Sequence, residues 1–424
     1  MTFTQAEMTN KMYDAVICGG GASGLFCAVT LAMNGKKVLL AEHSDKTGRK
    51  LRITGKGRCN VTNNCEVTEV LKNIPRNPRF LYSSLYGFTP YDTINFFESI
   101  GIPLKTERGN RVFPVSDKAS DIADGLEEKC RAEGVKIVYD NIISLKKDSD
   151  KVIGLTGEKG EYTGENVIIA TGGKSYPKTG STGDGYRFAQ SVGHTVTEIT
   201  PSLCPIEVKE KQDCVKTMGL SLKNCKLSLY RNNEKKPVFQ EMGEMLFTHF
   251  GLSGPLVLSA SAHIENMKEN SYRVSIDMKP ALSSQQLDNR ILRDFGEFPN
   301  RDFGNSLNRL LPSKIIPVVI ERCGIEPTKK VNQVSREERI RLVECIKSLD
   351  FTFRNFRSVD EAIITRGGVN VKEIDPKSME SKIVKHLYFI GEILDTDGYT
   401  GGFNLQIAFS TAYACAKHII ESEE

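Results

Sequence analysis

The 424-residue chain contains no tryptophan, no C-x-x-C pair among its 11 cysteines and no H-x-x-x-H pair among its six histidines. An odd number of scattered thiols builds neither a disulfide framework nor a zinc site, both of which need regular spacing. Reduced thiols in a cytoplasmic protein without a metal site are therefore expected. The 57 basic and 53 acidic residues leave a formal charge of only +4. That balance argues against a protein that works on nucleic acid. The stretch Met1–Met12 is polar and lacks an apolar h-region, so no signal peptide is read. No apolar run approaches the length of a membrane span, and no repeat or low-complexity segment stands out. Membrane and nucleic acid are thus set aside as partners, and a small molecule is expected. Composition carries no signal for an oligomeric state.

What is present is ordinary in bulk, 39% hydrophobic and 26% charged, as in a soluble globular protein. The length exceeds one compact core, so two or three domains are expected. The informative part is local. Residues Cys18–Gly24 read C-G-G-G-A-S-G, after the apolar run Ala15–Ile17 and before a helical pattern, Leu25–Asn34. Gly19, Gly21 and Gly24 give G-x-G-x-x-G at a strand-to-helix junction, the place where a dinucleotide pyrophosphate binds. The first glycine allows the turn, the second lets the backbone approach the phosphates, and the third lets helix and strand pack closely. Ala22 and Ser23 open the helix whose unpaired N–H groups face the anion. A second strand, Lys37–Ala41, leads to Glu42, a carboxylate placed to accept from ribose hydroxyls.

The segment Thr47–Asn63, T-G-R-K-L-R-I-T-G-K-G-R-C-N-V-T-N, is rich in glycine and cations and is expected to be a loop or short turns. Thr89-Pro90 starts a helix with an apolar stripe through Ile94, Phe97 and Ile100. Another helix runs through Ile122, Leu126 and Cys130. Strands are expected at Lys136–Tyr139, Ile142–Leu145, Val152–Thr156 and Asn166–Ala170, the last wholly apolar as in a parallel sheet covered on both faces. From about Pro201 the pattern alternates, in Ser221–Tyr230 and Ser271–Met278, around the glycine-rich Thr248–Pro255. The stretch 283–349 reads helical, with Ser335 and Glu338 forming a capping box. Dinucleotide-domain character then returns in strand His386–Ile390 and helix Leu405–Ile419. The expected organisation is a first domain, 1–199 and 356–424, interrupted by an insert, 200–355, with a β region to 280 and helices from 281 to 350.

Three glycine-bearing turns thus follow three strands: Gly19–Gly24, Ala170-Thr171-Gly172-Gly173, and Gly391-Glu392 with Gly401-Gly402. This is the set that a two-domain flavoprotein needs. A helix beginning near Gly402 would present backbone donors at Asn404–Gln406 to the flavin pyrimidine, and its dipole would stabilise negative charge there by ~0.3–2 kcal/mol. The segments G-R-K-L-R-I-T-G-K-G-R-C-N-V-T-N, A-T-G-G-K-S-Y-P-K-T-G-S-T-G-D-G-Y and G-E-I-L-D-T-D-G-Y-T-G-G-F-N-L-Q resemble those of a bacterial FAD-dependent oxidoreductase family of the BaiN-like, aminoacetone-oxidase-like type. Its members include reductases of bile-acid intermediates. Thr248–Pro255 and Thr365–Val369 also fit, so the resemblance spans the chain.

The resemblance implies FAD, a Rossmann-type α/β domain, and an inserted, mainly antiparallel barrel-like domain with a helical part. It assigns the cofactor to Gly19, Gly21, Ala22, Ser23, Gly24 and Glu42. It adds Arg49 and Lys50 after that acid, and Gly55, Gly57, Arg58, Cys59 and Asn60 on the flavin side. The second turn contributes Ala170, Thr171, Gly172 and Gly173. The third contributes Gly391, Glu392, Gly401, Gly402, Phe403, Asn404, Leu405 and Gln406. Many related flavoproteins carry Gly-Asp where this chain has Gly391-Glu392, which leaves the geometry of ribityl binding open.

Arg49, Lys50, Lys56 and Arg58 form a cationic cluster, expected to pair with FAD phosphates or an anionic substrate. Cys59 would suit a redox thiol, but Cys65 lies six residues away and a small packed thiol is the favoured reading. His249 would be a proton donor from the insert or a hydrogen-bonded structural histidine. Tyr399 and Asp397 flank the third turn, where they would bind substrate or, for Asp397, build the turn. No conventional nucleophile is required, because the cofactor carries the electrons. The favoured function is an FAD oxidoreductase acting on a small organic molecule held between the domains. The alternatives are a flavin-dependent tRNA-modifying protein and a non-catalytic FAD-binding protein. A plain NAD dehydrogenase does not account for the C-terminal return motif. No second G-x-G-x-x-G exists for NAD(P)H, which would dock transiently, or oxygen would be the acceptor.

Overall fold

Apolar strands of three to nine residues, three of them leading into glycine turns, form the sheet that matters here. The computed structural model describes residues 12–149, 151–232, 234–265, 267–357 and 361–422. Up to Lys11, the polar N-terminal stretch lies outside the described residues. Five parallel strands carry the first unit: β1 (Tyr13–Cys18), β2 (Val38–Glu42), β3 (Lys136–Tyr139), β4 (Glu161–Ile169) and β5 (Leu387–Phe389). They lie in the order β3-β2-β1-β4-β5. This is a dinucleotide-binding arrangement, in which the order reverses between β1 and β4 and ligands bind beyond the carboxyl ends of the strands.

Strand β4 does two jobs. Its first residues pair antiparallel with Lys151–Gly157, where burial alternates; its last four, buried on both faces, sit inside the parallel sheet. Helices α1 (Ala22–Met33), α2 (Arg49–Gly57), α3 (Asp184–Ser191) and α4 (Phe403–Glu421) each contact the turns at the sheet's carboxyl end. A three-stranded antiparallel sheet, Thr62–Asn63, Arg111–Pro114 and Leu104–Glu107, joins them. Thr89 caps its helix reciprocally with Asp92, as a Thr-Pro start predicts.

Contacts divide the chain into this unit, up to Pro201 and from Ala362, and a second, Ser202–Glu361. The second unit carries a closed antiparallel barrel of six strands. Leu227, Leu229, Val274, Ile276, Phe351 and Phe353 fill it, all fully buried. Its last strand, Leu349–Phe356, runs past the boundary expected at 355 and closes the barrel on Ile206–Val208. Helices Ser284–Glu297, Ile316–Cys323 and Arg336–Lys347 make up the helical part, two of them with capping boxes, at Ser283 and Ser335. No helix of the described residues is long and apolar enough to cross a membrane.

One buried latch in the first unit has a pH signature. His194, with no side-chain exposure, sits 3.1 Å from Glu373 through Nδ1 and 2.7 Å from Ser381 Oγ through Nε2. Burial holds its pKa below the ordinary 6.5, against the opposing pull of Glu373. The unfolded chain therefore binds more protons just below pH 6.5, and stability must fall as pH drops through that window. Thermal midpoints between pH 7 and 5 should decline less steeply for His194→Gln than for the wild type. Parallel slopes would show that His194 titrates no differently in the folded protein.

Candidate functional site

Three glycine turns leave the carboxyl ends of β1, β4 and β5 and touch one another. Gly19 has φ +108°, and a Cβ there would lie 2.6 Å from the carbonyl oxygen of Ala170 in the second turn. A Cβ on Gly24 would overlap the carbonyl oxygen of Gly19. One on Gly391, in the third turn, would lie 2.6 Å from Ser23 Oγ on α1. Gly21 differs from all of these: its Cβ position meets no atom within 4 Å. Helix α1 begins at that open position, with Gly21 as N-cap and no side-chain cap. This is a cradle for an anion approached by backbone N–H groups.

Glu42, 7% exposed, braces the cradle from β2. Its carboxylate accepts from Gly20 N at 2.8 Å and from Ser44 N at 2.8 Å. A carboxylate has further lone pairs, so ribose hydroxyls can still be received. After Glu42 the expected loop is replaced at its start by helix. Gly48 donates from its N–H to Gly20 O at 2.8 Å, which starts α2 at Arg49. The chain leaves the helical path at Thr54, and Gly55, Lys56, Gly57 and Cys59 then take positive φ. Those four residues form the tight turn that glycine content predicts.

The cationic cluster is organised differently from the expectation. Lys50 Nζ lies 2.6 Å from both Glu392 Oε2 and Ser175 Oγ, in a pair only about a fifth exposed. Glu392 also accepts from Ser175 Oγ at 3.1 Å and from Thr365 N at 3.0 Å. Residue 392 therefore ties α2, the second turn and the third turn together, and Lys50 charge is neutralised within the protein. Arg58 is turned elsewhere: its guanidinium pairs with Glu107 and Asp117 and stacks 4.2 Å from the Phe113 ring centroid. Arg58 is thus a structural cation of the small antiparallel sheet, correcting its assignment to phosphate or substrate. Arg49 is exposed and donates to the carbonyl of Lys178 at 3.1 Å, and Lys56 is exposed.

Cys59 is fully buried, and desolvation pushes its thiol up to about 12, so it carries no thiolate. Gln406 is also fully buried, and its amide is engaged with Thr62, Thr93, Phe88 O and Ser410. Only its backbone belongs to the helix start. Asn404 staples the turn before α4, accepting from Gly398 N at 2.8 Å and donating to Gly398 O at 2.7 Å. Gly402, the N-cap of α4, presses on the backbone of Thr62, with no room for a Cβ. No side chain caps α4, so the N–H groups of Phe403, Asn404 and Leu405 remain available to an acceptor. Tyr399 packs in a small cluster with Val70, Ile74, Leu85 and Phe403, and Asp397 is buried, its backbone paired antiparallel with that of Arg76. His249 lies in the second unit, exposed, with its ring edge-on to Phe250 at 5.0 Å.

Other residues of the site carry weaker sequence signals. Arg76 and Asn77 converge on Asp395, whose side chain is 5% exposed; the Arg76 Nη2 to Asp395 Oδ2 distance is 2.9 Å. Buried side-chain oxygens without a hydrogen-bond partner include those of Asn60, Thr171, Tyr186 and Thr396. With the open position at Gly21, these orphaned groups fit a dinucleotide cofactor of the FAD type. Tyr186 and Thr396 do not stand out in the sequence because nothing local distinguishes them, apart from the T-G-D-G-Y and D-T-D-G contexts.

A family model described as "HI0933-like protein Rossmann domain" matches residues 13–418. The ribosomal RNA dihydrouridine synthase of Haemophilus influenzae is 34% identical, over 96% of this chain and 98% of its own. The 3-dehydro-bile acid delta(4,6)-reductase of Clostridium scindens is 30% identical over 96% of this chain and 98% of its own. Among solved structures, a single-residue variant of the E. coli quinol fumarate reductase subunit FrdA superposes with a TM-score of 0.51. It is 14% identical and covers 97% of this chain and 70% of that one, a likeness of fold alone.

Proposed function

We propose, on the premise that the chain belongs to the family of HI0933-like proteins with a Rossmann domain, that it reduces a carbon–carbon double bond conjugated to a carbonyl group. The observation that carries this reading is the reaction shared by two relatives alike over nearly their whole length. A dihydrouridine is a uridine whose ring double bond beside a carbonyl has been saturated. A delta(4,6)-reductase of a 3-oxo steroid acid likewise saturates double bonds in line with the carbonyl. In each, a hydride adds to a carbon remote from the carbonyl and a proton to its neighbour on the double bond.

FAD, when bound, supplies the hydride. The protein supplies position. The Gly19–Gly24 turn and the start of α1 would hold the pyrophosphate. The backbone N–H groups of Phe403–Leu405 would receive the pyrimidine edge and stabilise negative charge there. Lys50, Ser175 and Glu392 lock the turns to one another. A nicotinamide dinucleotide is the proposed electron source, docking without a glycine fingerprint of its own. A free small molecule is the proposed substrate, in keeping with the net charge of +4. The name of the H. influenzae relative favours a second reading, a uracil ring carried in RNA.

The test is anaerobic. The holoprotein is reduced with NADH or NADPH and mixed in turn with a 3-oxo-4,6-diene steroid acid and with unmodified ribosomal RNA. Return of the oxidised flavin spectrum, with a product two hydrogens heavier, is expected for one of them. A reduced protein reoxidised by oxygen and by neither conjugated carbonyl would sink the reading.

A further inference from the structure

Thr171, Tyr186 and Thr396 come from three segments that meet around the second and third turns. Thr171 lies two residues after the end of β4. Gly185, at the start of α3, presses on Thr171 Oγ1 and on Ile393 in the third turn. Tyr186, next on α3, is 7% exposed, and its phenol feels the charges of Glu392 and Asp395. Thr396, 4% exposed, follows Asp395. None of the three hydroxyls has a hydrogen-bond partner among the described residues.

The nearby carboxylates do not supply one. Both oxygens of Asp395 are engaged by Arg76, and Asn77 adds a further donor. Glu392 is held by Lys50, Ser175 and Thr365. Buried hydroxyls are almost always paired, and three orphans around one turn call for a partner outside the chain. Burial and the two carboxylates push the Tyr186 phenol well above its ordinary range, so it remains protonated and acts as a donor.

We propose that Tyr186 and Thr396 join Thr171 of the second glycine turn as hydrogen-bonding ligands of the FAD cofactor, two hydroxyls lying outside the glycine turns already assigned to it. The phenol donates to an acceptor oxygen, and the two threonines, each donor and acceptor, suit the hydroxyl-rich chain and phosphates of FAD. Gly185 and Gly391 allow this by bringing α3 and the third turn close to the second turn and α1. The proposal rests on FAD as cofactor and is independent of which substrate is reduced.

Tyr186→Phe and Thr396→Val test it without assaying turnover. FAD affinity is measured by quenching of its fluorescence, and thermal midpoints are taken with and without FAD. Each variant should bind FAD about tenfold more weakly, as loss of one hydrogen bond implies. The apoprotein midpoints should be unchanged or raised, because each substitution deletes a buried hydroxyl that lacks a partner. Wild-type affinity in both variants would overturn the proposal. So would an apoprotein midpoint that falls as far as the holoprotein midpoint, since the hydroxyls would then be paired by ordered water or by the chain. Failure of the wild type to take up FAD would overturn the cofactor assignment itself, an outcome separate from equal affinities.

Discussion

Gly21→Ala should leave the apoprotein folded while removing most of its affinity for FAD, whereas Gly24→Ala should prevent the cradle from forming. The two glycines are three residues apart in one turn, and their surroundings are opposite. At Gly21 the backbone is extended, with φ −81°, and a methyl group there meets no protein atom within 4 Å. Any L-residue adopts that conformation, so the fold loses little beyond an N-cap effect of about 0.5–1 kcal/mol. A pyrophosphate hydrogen-bonded to the start of α1 needs the same space, and displacing it forfeits two or so charge-assisted bonds. That amounts to about 3 kcal/mol, or roughly a hundredfold in affinity. At Gly24 the methyl group would overlap the carbonyl of Gly19 and crowd the side chain of Ala170, 3.2 Å away. Relief requires moving α1 off β1, a change in the class that costs more than about 4 kcal/mol. Apoprotein thermal midpoints and FAD titrations of both variants separate the effects. A Gly21→Ala protein that binds FAD like the wild type would move the phosphate site away from this turn.

Arg76→Met should lower stability by about 3 kcal/mol, near the lower end of the range for breaking a buried ion pair by removing one partner. The cause is the Asp395 carboxylate, which is left behind with only Asn77 as a side-chain partner among the described residues. Arg76 is itself partly exposed, which moderates the loss. For a unit of this size, the midpoint should fall on the order of 5–10 °C. The double variant Arg76→Met/Asp395→Leu should recover part of the loss, because no unpaired charge then remains buried. If the single variant melts like the wild type, the carboxylate has a partner other than Arg76. FAD should protect Arg76→Met less than the wild type, because the segment that Arg76 pins carries Glu392 and Thr396.

Much of this architecture is written locally. The glycine turn between β1 and α1, the capping boxes at Thr89, Ser283 and Ser335, and the apolar second half of β4 all arise from neighbours within a few residues. Helix α2 is hidden from such a reading because R-K-L-R-I is charged, short and bounded by glycine; a backbone contact from Gly48 to Gly20 starts it. The hairpin Leu104–Glu107 with Arg111–Pro114 is equally silent, because each strand has four residues, too few for alternation to register. The roles of individual cations are the least legible. Arg58 meets Glu107 and Asp117, 49 and 59 residues on, and Lys50 meets Glu392 across 342 residues. A motif fixes where such a side chain starts; its partner depends on how distant segments are brought together.

That same span sets an order of events during synthesis. Lys50, Ser175, Thr365 and Glu392 form one cluster, and the last two emerge from the ribosome only after the whole insert has been made. Strand β5, which completes the sheet edge, is made just before Glu392, and helix α4, which packs on α1, follows it. A nascent chain of two hundred residues can build the first turn and the central strands, but it has neither the third turn nor its half of the clasp. The three turns therefore cannot meet until the segment that carries Thr365 and Glu392 has been made, and uptake of FAD by a nascent chain should report that this segment is in place.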